Sequence, residues 1–516
     1  MPSADQAWAR TICPLSRFGA YRAPLPVSLS APIVAGMSSK QKFLIGFGLF
    51  ALIATALLVW LLRGNVSDRD IAELTGPEPA LQQPETEYFP TIAIAKPIGW
   101  EPGAAPVAAE GLQVSRFAEG LDHPRVLYTL PNGDVLVALS NAPEASRPDG
   151  VFGRIMMFLM RKAGVGQPSP DQIVLLRDAD KDGVAEKRYV LREGLSSPSG
   201  MGYHDGRLFV ATHDALLSFS FEPGKTSLTS EPQKLMDLPA AGHHWMRNLI
   251  ISPDRAKIFI AVGSASNIAE GGMEAEQGRA AIWEYDLSST SRRQFANGLR
   301  NPNGLAFNPS TDELWTTVNE RDMLGPDLVP DYLTNVPVGA QYGWPWIYWK
   351  NLRDYRVRAP IPQYFTEYTR KPEYALGPHV AALGLVFAQE GHRMGPGFAN
   401  GAFIARHGSW NRRPPAGYDV IFVPFDDKGN PDGDPKTVLS GFLTDGGDTQ
   451  GRPTWVAWDQ AGALLVSDDT AGIIWRVQAP GAEPAAAPPK VQSTPLPPRR
   501  ELTGNPMGSF RQDDSR

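Results

Sequence analysis

Two short polar runs hold the residue types that could do chemistry. Gly242-His243-His244-Trp245-Met246-Arg247-Asn248 crowds imidazole, indole, guanidinium and carboxamide groups just ahead of the apolar Leu249, and Arg300-Asn301-Pro302-Asn303-Gly304 sets a guanidinium and two carboxamides ahead of Leu305. A neutral imidazole with a pKa near 6.5 can take a proton from a hydroxyl at neutral pH, which makes His244 a candidate general base. Arginine offers a planar fork of donors that suits paired oxygens, so Arg300 points to an anionic ligand. Each also has a bland reading, as a packed loop histidine and a buried structural guanidinium.

Similar runs follow further on. Asn319-Glu320-Arg321-Asp322, Tyr342-Gly343-Trp344-Pro345, His407-Gly408-Ser409-Trp410-Asn411-Arg412 and Gly451-Arg452-Pro453 all border apolar segments. The recurrence of arginine at strand starts and strand ends argues for an anionic ligand on a shared axis better than any one residue does. A different chemistry is written in Asp178-Ala179-Asp180-Lys181-Asp182-Gly183-Val184-Ala185-Glu186, with carboxylates at alternate positions and a glycine for the turn. Hard cations want many oxygen ligands, and calcium matches best, through Asp178, Asp180, Asp182 and Glu186. The flanks read as strands and Tyr189 stands where a helix-loop-helix calcium site has Glu, so the alternative is a solvated acidic turn.

What must position these groups is a repeat. An apolar strand, a turn on Pro, Asp, Asn or Gly, and a second apolar strand recur at 126–137, 200–212, 248–263, 304–319, 384–408 and 455–469. Six such hairpins predict an all-β, six-bladed β-propeller over residues 111–478, with a β-sandwich as the rival. In a propeller the loops at one end of the channel come from every blade, so distant runs converge.

Phe43 to Leu62 has no charged residue and is long enough to cross a bilayer core of about 30 Å as a helix. Lys40 and Lys42 before it predict a cytoplasmic segment 1–42, a single transmembrane anchor 43–62, and the remainder outside. Arg63-Gly64-Asn65-Val66 offers no small-residue cleavage pattern, which favours an anchor over a removed signal peptide; Met37 is an alternative start. Residues 63–110 read as a linker rich in Pro, Glu and Ala, and 479–516 as a disordered Pro-rich tail. The formal net charge of -6, without a basic patch interleaved with aromatics, gives no support to a nucleic-acid role. Cys13 is the only cysteine, which excludes a disulfide framework or a cysteine metal site.

From Gly120-Leu121-Asp122-His123-Pro124-Arg125 to Val477, taken through the runs above, the chain resembles the glucose/sorbosone dehydrogenase family of pyrroloquinoline quinone (PQQ) dependent enzymes, most of all its membrane-bound sorbosone-oxidising type. The resemblance implies PQQ lying at the channel mouth beside a calcium ion. It implies a general base at His244, a quinone-contacting arginine at Arg300 with Asn301 beside it, and a cofactor-carboxylate arginine at Arg452. Arg247, Asn248 and Arg412 complete the expected cofactor-binding set, Arg412 standing in for a lysine of the soluble glucose-oxidising members. Their second arginine is Thr454 here. The calcium would be held by backbone carbonyls near Arg321 and Asp322. The implied activity is oxidation of a sugar, or a sugar-derived aldehyde or alcohol, in the periplasm at the inner membrane, with a cytochrome or ubiquinone accepting the electrons. The rival readings are a propeller lactonase or hydrolase, which wants carboxylate ligands around the axis, and a non-catalytic binding propeller.

Overall fold

The computed structural model describes residues 38–62, 64–87, 91–143, 158, 167–240 and 242–491, so 1–37 of the expected cytoplasmic segment 1–42 and 492–516 of the expected tail 479–516 lie outside the described residues. Two compact units divide the chain near Leu62. The first holds the helix Ser39–Leu62. Its start is capped reciprocally: the Gln41 amide donates to Ser38 Oγ at 3.3 Å and the Ser38 amide donates to Gln41 Oε1 at 3.0 Å. The helix is apolar all round, with Phe43, Phe47 and Phe50 exposed, and it is long and apolar enough to cross a membrane.

The second unit is a six-bladed propeller. Blade 1 is built from Pro124–Thr129, Val135–Leu139, Gln172–Arg177 and Lys187–Glu193, and blade 2 from Met201–His204, Arg207–Ala211, Ala215–Ser220 and Gln233–Asp237. Blade 3 comprises Leu249–Ile251, Lys257–Val262, Ala281–Asp286 and Arg292–Asn297; blade 4, Asn301–Phe307, Leu314–Asn319, Pro330–Asn335 and Tyr374–Pro378. Blade 5 contains Ala382–Phe387, Gly401–Arg406, Asp419–Pro424 and Lys436–Ser440. Blade 6 joins Pro453–Trp458, Leu464–Asp468 and Ile473–Gln478 to Gln113–Ala118 from the other end of the chain, and this pairing closes the ring. The six hairpins read from the sequence are the two inner strands of each blade.

Second strands such as Val135–Leu139 and Leu464–Asp468 are buried on both faces because blades stack on either side, so they read as unbroken apolar runs rather than alternating ones. The glycines that recur at inner-strand starts allow neighbouring blades to touch. A Cβ on Gly304 would lie 2.4 Å from the Leu383 carbonyl oxygen, and one on Gly384 would lie 2.6 Å from Trp455 Cα.

Two expectations are corrected. The stretch taken as a linker contains segments packed on the propeller: Thr75–Gly76 adds a strand to blade 4, Val107–Ala108 adds one to blade 5, and Leu74, Thr91 and Ala95 are buried. Composition misled here, because single buried side chains and edge pairing leave no periodic trace. Residues 479–491, taken as tail, also lie against the propeller, through Ala485 and His392 backbone pairing and a Val491 amide donated to the Ser310 carbonyl.

Candidate functional site

Register decides which residues meet. In each inner hairpin the start of the first strand opposes the end of the second: Asn301 pairs Asn319, Ala382 pairs Arg406, and Pro453 pairs Asp468. The loops entering first strands and those leaving second strands therefore share one mouth of the channel.

On the side of blades 3 to 5 the mouth is organised by Ser264, just past a second strand. Its carbonyl oxygen lies 2.9 Å from His244 Nδ1, its hydroxyl lies 3.0 Å from the same nitrogen, and its amide donates to the Arg300 carbonyl at 2.7 Å. A carbonyl only accepts, so Nδ1 carries the proton and Nε2 is left with its lone pair. Burial, and after it the Arg300 charge, hold the His244 pKa well below its ordinary value, so the imidazole is neutral at neutral pH. A Cβ on Gly263 would come within 2.6 Å of His244 Cβ and 2.3 Å of Asn301 Oδ1, so only glycine lets these two side chains lie so close.

Arg300 is 5% exposed and fixed by four acceptors: Asn267 O at 3.2 Å, Asn267 Oδ1 at 2.9 Å, Asn319 O at 3.4 Å and Asp322 Oδ2 at 3.0 Å. Asp322 Oδ1 accepts from Asn411 Nδ2 at 2.9 Å and lies 3.5 Å from His379 Nδ1. Burial would raise the Asp322 pKa, but Arg300 and His379 more than offset it and hold the carboxylate well below its usual range. For His379 burial works downward, yet the bond to Asp322 prevails and the net shift is upward. His244, Arg300 and Asn301 are thus brought together.

The other side of the mouth carries Arg452, 4% exposed, over the Tyr418 ring at 5.1 Å and donating to its hydroxyl at 3.0 Å. Next to it His407 Nε2 meets Asp469 Oδ1 at 3.0 Å, and Arg125 pairs with Asp469 while stacking on Trp245 at 5.6 Å. Trp245 adjoins His244, so Arg125 ties the two sides together. The Nε atoms of Arg125 and Arg452, and Asn411 Oδ1, are buried without a hydrogen-bond partner among the described residues.

Other expected contacts are corrected. Arg247 is fully buried, and its guanidinium donates to the carbonyls of His244 at 2.8 Å, Met246 at 2.9 Å and Pro239 at 2.7 Å. It braces the histidine loop from beneath instead of reaching the mouth. Arg412, also buried, donates to Asp327 and Ser67 at 3.0 Å and to the Pro414 carbonyl at 2.8 Å. Asn248 faces a cavity of about 520 Å³ deeper in the channel, with Leu305, Leu385 and Trp455. Arg321 is buried on Glu320 and on the carbonyls of Pro345 and Ile347. The Asp322 carbonyl accepts from Asn267 Nδ2 at 3.2 Å and Arg356 Nη1 at 2.9 Å, so both its lone pairs are engaged and it does not fit a metal ion. The acidic run does place its donors together: one oxygen each from Asp178, Asp180, Asp182 and Glu186 lies within 4.8 Å of the others. Sequence reasoning missed Ser264, Asn267 and His379, whose signal is only that they flank inner strands at this mouth.

Fold and mouth together define a six-bladed propeller with a neutral histidine and several guanidinium groups at one end of its channel. The chain belongs to the TrAA12-like family, whose model matches residues 172–333 and 364–480, and a glucose/sorbosone dehydrogenase model matches residues 283–406. It is 28% identical over 303 residues to an uncharacterised protein of Borreliella burgdorferi, covering 56% of this chain and 78% of that one. It is 25% identical over 375 residues to a pyrroloquinoline quinone-dependent pyranose dehydrogenase of Coprinopsis cinerea, covering 59% of this chain and only 50% of the fungal protein. Among solved structures, the Trichoderma reesei AA12 enzyme in iodide gives a TM-score of 0.59 at 20% identity, over 73% of this chain and 98% of that one; the same enzyme also has a calcium structure. The holo PQQ domain of the Coprinopsis cinerea enzyme gives 0.56 at 20%, over 75% and 100%. These likenesses show the fold.

Proposed function

We propose that this chain is a membrane-anchored, PQQ-dependent dehydrogenase that oxidises a sugar, or a sugar-derived aldehyde or alcohol of the sorbosone kind. PQQ is a flat tricarboxylic quinone, and the residues present fit it: Arg300 and Arg452 for its oxygens and carboxylates, Asn301 beside them, and the unpartnered Nε of Arg452 and Oδ1 of Asn411 as free polar atoms. Bound there, PQQ would supply the acceptor for the two electrons of the substrate C–H bond. The chain's own part is to take the hydroxyl proton on His244 Nε2 and to hold charge with Arg300. The observation that carries this reading is the His244–Ser264 contact, which fixes the proton on Nδ1 and leaves the other nitrogen a base. Calcium, present in a structure of the Trichoderma reesei relative, matches the donor set of the Asp178 loop.

Lys40 and Lys42 ahead of the apolar helix support an outward-facing catalytic domain at the inner membrane, where a cytochrome or ubiquinone would take up the electrons. The test is to load the full chain with PQQ and calcium and to screen aldoses, sorbosone and simple alcohols for reduction of an artificial acceptor. Turnover of a sugar or sugar aldehyde that depends on PQQ supports the proposal; no PQQ binding and no turnover overturns it.

A further inference from the structure

Two adjacent backbone carbonyls, those of Asp322 and Met323, converge on one nitrogen. Arg356 Nη1 donates to Asp322 O at 2.9 Å and to Met323 O at 2.8 Å. The same guanidinium is clamped from its other edge by Asp354, with Nε to Oδ1 at 2.9 Å and Nη2 to Oδ2 at 2.7 Å. Asp354 is 2% exposed and is further held by the Arg356 amide at 3.1 Å, so the fork is fixed in place. Each carbonyl has a second donor as well: Asn267 Nδ2 at 3.2 Å for Asp322, and the Glu87 amide at 3.2 Å for Met323.

The resemblance to sugar dehydrogenases places a calcium ion on the backbone near Arg321 and Asp322, and the Asp322 carbonyl of this pair is the one the two sites share. A hard dication wants bare oxygen lone pairs and surrounding negative charge. Here the lone pairs of the Asp322 and Met323 carbonyls are occupied, Asp354 is paired to Arg356, and the Asp322 carboxylate is paired to Arg300 at 3.0 Å. What stands between the two carbonyls is a permanent monovalent cation on a short tether.

We infer that Arg356 takes the place of a metal ion at this mouth, so that the positive charge beside the cofactor is built into the chain and the calcium of this protein is confined to the Asp178 loop. The inference rests on the quinoprotein reading for its meaning, but its central measurement does not. Arg356 acts as a positioning residue: it holds the Asp322–Met323 backbone, and through it the carboxylate that fixes Arg300.

The experiment counts calcium per full-length chain by equilibrium dialysis and metal analysis, in an Asp180→Asn, Asp182→Asn background that silences the acidic loop. The parent is expected to bind no calcium, and Arg356→Ala to gain one ion in the vacated carbonyl pair. Arg356→Lys, which keeps the charge, should stay at zero; Arg356→Gln, which removes it, serves if the alanine variant fails to fold, and a folded charge-removed variant that binds no calcium overturns the inference. In parallel, PQQ affinity of the unaltered protein is measured by absorbance titration with EDTA and with calcium, and should agree within about twofold. One tightly held calcium in the parent, or PQQ binding lost in EDTA, overturns the inference. Absence of PQQ binding in both buffers would instead overturn the quinoprotein reading, with the calcium count still deciding the role of Arg356.

Discussion

His244 and Arg300, separated by 56 positions in the chain, are fastened to the same residue: Ser264 takes the Nδ1 proton of the histidine on its carbonyl and gives its amide proton to the Arg300 carbonyl. The base and the charge that tunes it are therefore set by one short turn after a blade 3 strand.

Removing the imidazole tests the base. His244→Ala should lower kcat by about 10²- to 10⁴-fold while PQQ binding, read by absorbance, stays within a few-fold. Ser264→Ala keeps the carbonyl acceptor and removes only the hydroxyl, so its loss should be about tenfold or less. Unchanged turnover in His244→Ala would remove the assigned base.

The proximity of Arg300 predicts how the imidazole titrates. Burial and the Arg300 charge both disfavour the imidazolium, so His244 should stay neutral from pH 8 down to well below its ordinary value of about 6.5. Arg300→Met removes the larger of the two charges that act downward, His243 being the other, and should move the midpoint upward. NMR titration of the labelled histidine Cε1–H checks both, and a midpoint at or above about 6.5 in the unaltered protein would contradict the geometry.

Asp331 stitches blade 4 to blade 5, accepting from the Glu320 amide at 2.8 Å and the Ala381 amide at 2.7 Å. Asp331→Ala leaves two buried N–H groups unsatisfied and should cost about 2–5 kcal/mol of stability, seen as a lower Tm. Burial pushes this carboxyl up to about 7. A carboxyl whose folded pKa is raised contributes stability that is full below its unfolded pKa of about 4 and is lost as pH rises through 7. Asn does not titrate, so denaturant melts should show the unaltered protein losing ground to Asp331→Asn between about pH 4 and 7, and no further change above.

Residues 64–87 and 91–99 belong to the folded body. Ser67 Oγ donates to Asp327 at 2.9 Å and accepts from Arg412 at 3.0 Å, and the Ile98 amide donates to the Thr449 carbonyl at 2.8 Å. A chain beginning at residue 100 exposes Leu74 and Ala95 contacts and strips the edge strand from Tyr374–Pro378. It should melt several degrees below a chain beginning at residue 64. Equal melting temperatures would show that the segment contributes no stability.

The amino-acid sequence by itself determined the ring. Inner hairpins are local in sequence, and their apolar runs, turn residues and recurring glycines report directly on strands that must pack on both faces, which is why all six are legible. It also marked His244, Arg300 and Asn301, because a polar run ahead of an apolar strand has few structural reasons to exist. Which guanidinium faces the mouth was decided only by the tertiary structure. Arg247, Arg300, Arg412 and Arg452 look alike in sequence, yet Arg247 and Arg412 are buried on backbone carbonyls and Asp327, whereas Arg300 stands with the His244 cluster. A charged side chain takes its role from the acceptors that surround it, and those acceptors, Ser264, Asn267 and Asp322 among them, come from loops that only blade packing brings within reach.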